Sequence, residues 1–273
     1  LSSDHGAGLI DLTPPPEALR ALAWRAELAG LNAAASPRET SVDGWLLRLS
    51  PGKAKRSRCV NALGTSGQLP LDDLLQRCRR GFEQAGLPLI LRLTPFSQPP
   101  ELDAWLAARQ WQAFDPADVM VLPSLEMFPL GSASALTALT PEAYAAAVGA
   151  LRGSTGKEIQ GHAQRLKAAP VRHQAFSLNT GDAARTPLAF GQVAVDGAIA
   201  GLFDILTPPE HRGQGHAHRL CGALLALARA QGATEAYLQV GADNLIAQSL
   251  YRGLGFQVAY RYHYRSDDPA AWS

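Results

Sequence analysis

The stretch from Phe203 to Ala217, F-D-I-L-T-P-P-E-H-R-G-Q-G-H-A, limits the folds open to this chain more than any other. An apolar strand ends at a double proline, and a glycine-rich turn feeds directly into a helix. Gly213 and Gly215 remove side chains where a ligand must approach the backbone. The first turn of a helix has unpaired N–H groups and the positive end of its dipole. Together they form a cradle for phosphate or pyrophosphate, to which Arg212 adds a fork-shaped donor. A plain tight strand-to-helix turn would use the same glycines. The loop lacks the G-x-x-x-x-G-K-[ST] spacing, and position 218 is His where G-x-G-x-x-G needs a glycine.

The surroundings of this stretch are equally patterned. Leu188 to Val195 and Ala198 to Leu206 read as strands joined by Asp196-Gly197, a strong hairpin signal. Ala217 to Gln231 is apolar at Ala217, Leu220, Cys221, Leu224, Leu225 and Ala228, the spacing of one helix face. Gly232 caps it. Glu235 to Val240 reads as a strand, Asn244 to Leu254 as a helix closed by Gly255, and Val258 to Tyr264 as a last strand. Upstream, the pattern predicts helices over Pro14 to Gly30, Leu71 to Ala85, Glu101 to Arg109 and Pro141 to Leu151. Strands are expected over Gly44 to Leu49, Ser57 to Leu63, Pro88 to Leu93 and Asp118 to Leu122. Gly153 to Gly161 is glycine-rich and weakly patterned. Pro123 to Ser134, rich in Pro, Gly and Ser, reads as a linker.

With 273 residues the chain is long enough for about two domains. The boundaries read as 1–130 and 131–273. Each half runs helix, Gly, short strand, helix, aromatic, strand, so the halves resemble distant copies, with Gly86 matching Gly232 and Trp111 matching Phe256.

R-G-Q-G-H-A, Arg212 to Ala217, matches the [RQ]-x-x-G-x-[GA] signature of the GNAT superfamily of acyl-CoA-dependent N-acyltransferases. N-L-I-A-Q-S-L-Y-R-G-L-G-F, Asn244 to Phe256, is similar to that family's N-x-x-A-x-x-L-Y-x-x-x-G-F segment. The resemblance covers roughly 136–265. It implies an α/β (α+β) fold of tandem GNAT-like domains, with mixed, twisted, mostly antiparallel sheets and flanking helices. It implies an N-acetyltransferase that moves an acetyl group directly from acetyl-CoA to a primary amine in a ternary complex. Arg212, Gly213, Gln214, Gly215, His216 and Ala217 would offer backbone N–H groups to the coenzyme A pyrophosphate. Ile205, Leu206 and Thr207 would pair their backbone with the pantetheine amides, Asn244 would bond the pantetheine arm, and Tyr251 would protonate the departing thiolate. Asn244 also suits a helix cap, and Tyr251 also suits a core position.

The reaction needs a base or a water relay, because an alkylammonium of pKa about 10 cannot attack a thioester. Asp204 interrupts an apolar strand beside the expected acyl position and is the leading candidate. A strand-end carboxylate bonded to a neighbouring backbone or arginine is the structural alternative. Glu210, His211, His173 and His263 are weaker candidates. In the first half, Ser66 to Leu71 aligns with Arg212 to Ala217, so Leu69 replaces the essential glycine and Pro70 removes an N–H. Leu106 stands where Tyr251 stands. The first half thus reads as a degenerate copy that covers the sheet or builds a wall of the acceptor cleft. Its basic run Lys53-Ala54-Lys55-Arg56-Ser57-Arg58 would contact an acidic acceptor or coenzyme phosphates, or simply form a solvated hairpin turn.

Composition narrows the partners. With 25 basic against 24 acidic residues and no basic stripe, nucleic acid is not expected as a partner. The expected acceptor is a small-molecule or peptide amine. The three cysteines form no C-x-x-C pair and no metal-ligand spacing with His, so no metal is expected and reduced thiols in the cytoplasm are. No apolar run approaches the roughly 18 residues of a membrane span. The N-terminal Leu-Ser-Ser-Asp-His-Gly has no signal-peptide pattern, although the chain does not begin with Met. A coenzyme-A-binding regulatory or scaffolding module without turnover is the alternative function.

Overall fold

The computed structural model describes residues 12–34, 36, 38–50, 54–64, 67–130, 136–183 and 185–272. The linker positions 131–134, Lys53, Ser66 and the N-terminal hexapeptide lie outside them.

Seven α-helices are described: α1 Arg20–Ala33, α2 Leu71–Gln84, α3 Leu102–Ala107, α4 Pro141–Arg152, α5 Gly156–Ala168, α6 His216–Ala230 and α7 Leu245–Gly253. The strands are β1 Glu39–Val42, β2 Trp45–Arg48, β3 Val60–Asn61, β4 Leu91–Leu93, β5 Gln112–Leu122, β6 Leu136–Leu139, β7 His173–Asn179, β8 Pro187–Asp196, β9 Ile199–Leu206, β10 Glu235–Gly241 and β11 Gln257–Ser266. They form one sheet in the order β1-β2-β3-β4-β11-β5-β10-β9-β8-β7-β6. All neighbours are antiparallel except β3 with β4 and β9 with β10. This is the mixed α/β, mostly antiparallel sheet with flanking helices that the resemblance implies.

The order of strands interlocks the halves. β5, from the first half, lies between β10 and β11 of the second. β11, the last strand, pairs β4 on its other edge. Alternate residues of a strand face opposite sides, and the cores divide accordingly. Met120, Leu122, Ala200, Leu202, Ala236 and Leu238 pack under α6 and α7. Val119, Val121, Ile199, Tyr237 and Tyr260 pack under α1. α4 lies on the α1 side, because it packs on Phe190 and Ala175 while their neighbour Ala189 joins the α6 core.

Two buried ion clusters tie β11 to the first half. Glu27 of α1 receives a two-pronged ion pair from Arg92 of β4 and a hydrogen bond from the Tyr260 hydroxyl. Asp103 of α3 accepts from His263 Nε2 at 2.8 Å and Arg265 Nε at 2.6 Å. His263, a weak catalytic candidate by sequence, is fully buried in that cluster.

Several elements differ from the pattern-based expectation. The stretch from Gly153 is not featureless: Thr155 and Glu158 form a reciprocal capping box that starts α5 despite Gly156 and Gly161. α1 does not end at Gly30 but runs to Ala33. Gly30 lies inside the helix, where an added Cβ would stand 2.9 Å from Gln239 Nε2, the end of a flexible side chain. β5 begins at Gln112, six residues before the apolar run, carrying Pro116 and the positive-φ Asp115 within it. The strand expected over Ser57 to Leu63 is only Val60–Asn61, preceded by a 3-10 turn over Lys55–Ser57. β1, β6 and β7 are strands that the sequence pattern did not predict. Among the described residues no helix is long and apolar enough to cross a membrane.

Burial alone would raise the Glu27 carboxyl, but the Arg92 guanidinium and the Tyr260 hydroxyl outweigh it and hold it below the usual carboxylate range. Its contribution to stability is therefore present above the unfolded carboxyl pKa of about 4.3 and is lost as pH falls below it. Glu27→Ala leaves Arg92 buried and unpaired, and is expected to cost about 3–5 kcal/mol in urea unfolding at pH 7. The difference from the unmodified protein should shrink as the pH is lowered through 4.

Candidate active site

The parallel strands β9 and β10 pair at Ile199–Glu235, Ala200–Ala236, Gly201–Tyr237 and Leu202–Leu238, and no further. β9 runs on to Leu206 beside β8, and β10 runs on to Gly241 beside β5. The two strands therefore part after Leu202 and Leu238. Residues 203–206 and 239–241 face a gap with main-chain groups that no strand pairs.

A bulge turns β9 aside. Its register against β8 shifts between Phe190 and Gln192, and Asp204 opposite takes a positive φ of 56°. Gly191 permits the bend: a Cβ there would meet Ile205 Cδ1 at 2.6 Å. The Tyr144 hydroxyl donates to the Asp204 main-chain oxygen at 2.9 Å.

Both strands leave the gap at the same end, β9 into the loop before α6 and β10 into the cap of α7. Gly213 and Gly215 have φ of 75° and 76°, and a Cβ on either would meet nothing within 4 Å. The glycines there answer a backbone requirement and leave open space in front of the loop. The first bond of α6 runs from Arg219 N–H to the Gly215 carbonyl at 3.1 Å, so the N–H groups of residues 216–218 have no partner within the helix. Arg212 Nε bonds the Thr207 carbonyl at 3.2 Å, and Gln214 reaches the Glu210 carbonyl. His216 Nε2 meets Gln214 Oε1, while its Nδ1 is buried without a partner. Ala217 lies in the first turn of α6.

Ile205 packs toward the α6 core and Leu206 toward Tyr144 and Phe190. Asn244 caps α7, its Oδ1 accepting from Ala247 N–H at 3.1 Å. Tyr251 is 8% exposed, packs edge-on to Phe256, and its hydroxyl makes no hydrogen bond among the described residues. Burial raises its phenol pKa, and raises the neighbouring Cys221 thiol to about 12.

The Asp204 carboxylate is held by Arg152 and stands 3.7 Å from His162 Nε2. His162, on α5, went unnoticed in the sequence because α5 itself did. Burial lowers the pKa of His162 and of His173. His173 packs tilted against Phe203 with ring centroids 4.8 Å apart and contacts the Ala33 carbonyl and Gln192. Its ring shares the α1 face of β7 with Ala175. His162, His173 and Asp204 thus gather on the face opposite α6. His211 and Glu210 sit in the 3-10 turn before the loop. No group of three or more His, Cys, Asp or Glu suited to a metal ion exists among the described residues.

An opening between parallel strands, edged by free amides and ending at a bare helix N-terminus, suits an extended amide-bearing ligand with an anionic end. That is the architecture of the GNAT-type acyltransferases. The chain belongs to the family described as "Probable histone acetyltransferase Rv0428c C-terminal", whose model matches residues 24–265. It is 26% identical over 232 residues to the uncharacterized N-acetyltransferase YobR of Bacillus subtilis, covering 83% of this chain and 91% of that one. Its fold is similar to a GCN5-related N-acetyltransferase from Kribbella flavida, with TM-score 0.60 and 19% identity over 91% of this chain and 95% of that one. It is also similar to a tandem GNAT protein from the clavulanic acid biosynthesis pathway, with TM-score 0.51 and 18% identity over 76% and 74% of the two chains.

Gly215→Ala should keep the fold, because its methyl meets open space. The positive φ should cost about 1–2 kcal/mol in urea unfolding. Gly191→Ala, which collides with Ile205, should cost more than Gly215→Ala in the same measurement.

Proposed function

We propose that the protein transfers an acetyl group from acetyl-CoA to a primary amine, directly and in a ternary complex, within the gap between β9 and β10. The observation that carries this reading is the parting of these strands at Leu202–Leu238, with the open loop at Gly213 and Gly215 at its mouth.

The acetyl-CoA cosubstrate supplies an activated acyl thioester. In this reading the backbone of Ile205, Leu206 and Thr207 pairs the pantetheine amides in place of the missing strand. N–H groups from Arg212 to Ala217 meet the pyrophosphate, and Asn244 supports the pantetheine arm while capping α7. The neutral amine forms the new C–N bond as the C–S bond breaks. The amine's proton leaves to a base or water, and the sulfur takes a proton from Tyr251. A raised phenol pKa keeps Tyr251 protonated, and a thiolate desolvated in the same surroundings becomes more basic, as Cys221 does. The match between donor and acceptor is thereby kept.

Asp204 is the proposed proton acceptor, oriented by Arg152 and His162 on the acceptor side. The functional division follows residues 131–273 as the catalytic part, with residues 1–130 as a degenerate GNAT-like partner that walls the acceptor side. The first half contributes α1, which packs on β9, and the chain's likeness in fold to a tandem GNAT protein supports this division.

Gly215→Asp places a carboxylate before the α6 N-terminus and should abolish acetyl-CoA binding in calorimetry while circular dichroism stays unchanged. Unchanged affinity removes the loop from the site. Tyr251→Phe should lower turnover at least tenfold, followed by thiol release, with acetyl-CoA affinity unchanged. Asp204→Asn should change the pH–rate profile; an identical profile assigns Asp204 to structure alone. A folded protein that binds acetyl-CoA but releases no thiol with any amine is the non-catalytic module instead.

A further inference from the structure

The transfer leaves a proton to dispose of. A primary amine arrives as an alkylammonium of pKa about 10, with three protons on nitrogen, and ends as an amide with one. One of the two protons lost is balanced by the proton that the coenzyme sulfur gains. The other must leave the site. Asp204 is bonded to Arg152 through Oδ1, so a proton that stays on its carboxylate weakens that ion pair and blocks the next turnover. A neutral group with a lone pair, placed at the other carboxylate oxygen, would carry the proton onward.

His162 stands in that place. Its Nε2 is 3.7 Å from Asp204 Oδ2, the oxygen that Arg152 leaves open. This is longer than a hydrogen bond, and contacts of this kind tighten when substrate is bound. The ring lies edge-on to Tyr144, with centroids 6.0 Å apart. Tyr144 in turn donates to the Asp204 main-chain oxygen, so one side chain braces both partners. His162 makes no hydrogen bond among the described residues, and its side chain is 16% exposed, which gives a proton an exit to solvent.

The other histidines do not suit the task. The Ala33 carbonyl, which can only accept, is 3.1 Å from His173 Nε2, and Gln192 Oε1 is 3.0 Å from its Nδ1. Both ring nitrogens of His173 are therefore occupied. His263 is bonded to Asp103 in the buried cluster, and His211 lies in the turn before α6.

The charges around His162 keep it a proton acceptor. α4 presents Arg152 and the Tyr144 hydroxyl, α5 presents Arg165 one turn on, β7 presents His173 and β9 presents Asp204. Burial lowers the His162 pKa, Asp204 opposes this, and Arg165 and Arg152 lower it further. The ring is thus neutral at pH 7 and gives up an acquired proton readily.

We propose that His162 is a proton relay behind Asp204. Asp204 takes a proton from the amine nitrogen and passes it from Oδ2 to His162 Nε2. The imidazolium then releases a proton to water, and the carboxylate returns to its pairing with Arg152. The inference rests on the reading of Asp204 as the proton acceptor in the β9–β10 gap. His162 acts through Asp204 and touches neither the acceptor nor the thioester.

The test follows thiol release by the full chain with acetyl-CoA and four acceptor probes, L-lysine, spermidine, glucosamine and tryptamine, using the fastest. His162→Gln should lower kcat about tenfold or more and leave KM for acetyl-CoA unchanged. It should also remove the fall in kcat that the unmodified protein shows as pH drops below about 6.5. Imidazole added to the buffer should restore part of the lost rate. An unchanged kcat overturns the proposal, and so does a loss that imidazole does not rescue and that leaves the pH profile in place. A second measurement needs no acceptor: the His162 ring proton resonance, identified by its loss in His162→Gln, is titrated against pH in the coenzyme-A-loaded protein. Asp204→Asn should lower the midpoint, and an unmoved midpoint overturns the pairing. Should coenzyme A fail to bind, the reading of the gap fails, and the same titration on the unloaded protein decides the pair separately.

Discussion

The parting of β9 from β10 after a single short ladder is the constraint on which the rest of the molecule depends. Neither strand could part alone without leaving its outer edge unsupported. β10 is held straight by pairing with β5 along its length, from Ala236 to Gly241. β9 stays on β8 through a bulge, which the positive φ of Asp204 and the absent side chain of Gly191 permit. The Tyr144 hydroxyl and Arg152 fasten that bulge from α4. Unpaired strand edges inside a sheet are normally costly. Here the bulge and β5 maintain them, and both strand exits converge on one mouth.

The two halves share this burden unequally. β5 belongs by sequence to the first half but braces β10, and β11 belongs to the second half but completes the first half's core through Asp103 and Glu27. Buried ion pairs of this kind contribute little net stability beside well-packed apolar groups, but breaking one is costly. Their use at both crossings fixes which strand lies beside which. It also carries α1 across the sheet onto β9 and β5. The chain's near-neutral charge is compatible with an anionic ligand because the loop before α6 offers backbone N–H groups.

What could be read from the residues was local. The Asp196-Gly197 hairpin, the glycine-rich turn that leads into α6 and the amphipathic face of that helix are present as expected, and Asn244 takes the capping role that its position suits. Their spacing in order also carried the family. What could not be read was non-local. No pattern in Gln112–Leu122 states that it will lie between two strands more than a hundred residues away. Gly30 looked like a helix end, yet α1 continues for three residues beyond it, packed on strands that the local pattern does not reveal. The basic run Lys53–Arg58 read either as a contact for an acidic ligand or as a solvated turn, and the Arg56 hydrogen bond to Gln239 follows only from the sheet order. α5 was hidden by its two glycines, and with it His162 beside Asp204.

The most direct test of this account is amide hydrogen exchange with and without saturating coenzyme A. Protection should rise in residues 203–207 and 213–218, the open edge of β9 and the loop before α6, with little change in the paired part of the β9–β10 ladder at 199–202. Saturation by coenzyme A without added protection in those two segments would contradict the assignment of the gap.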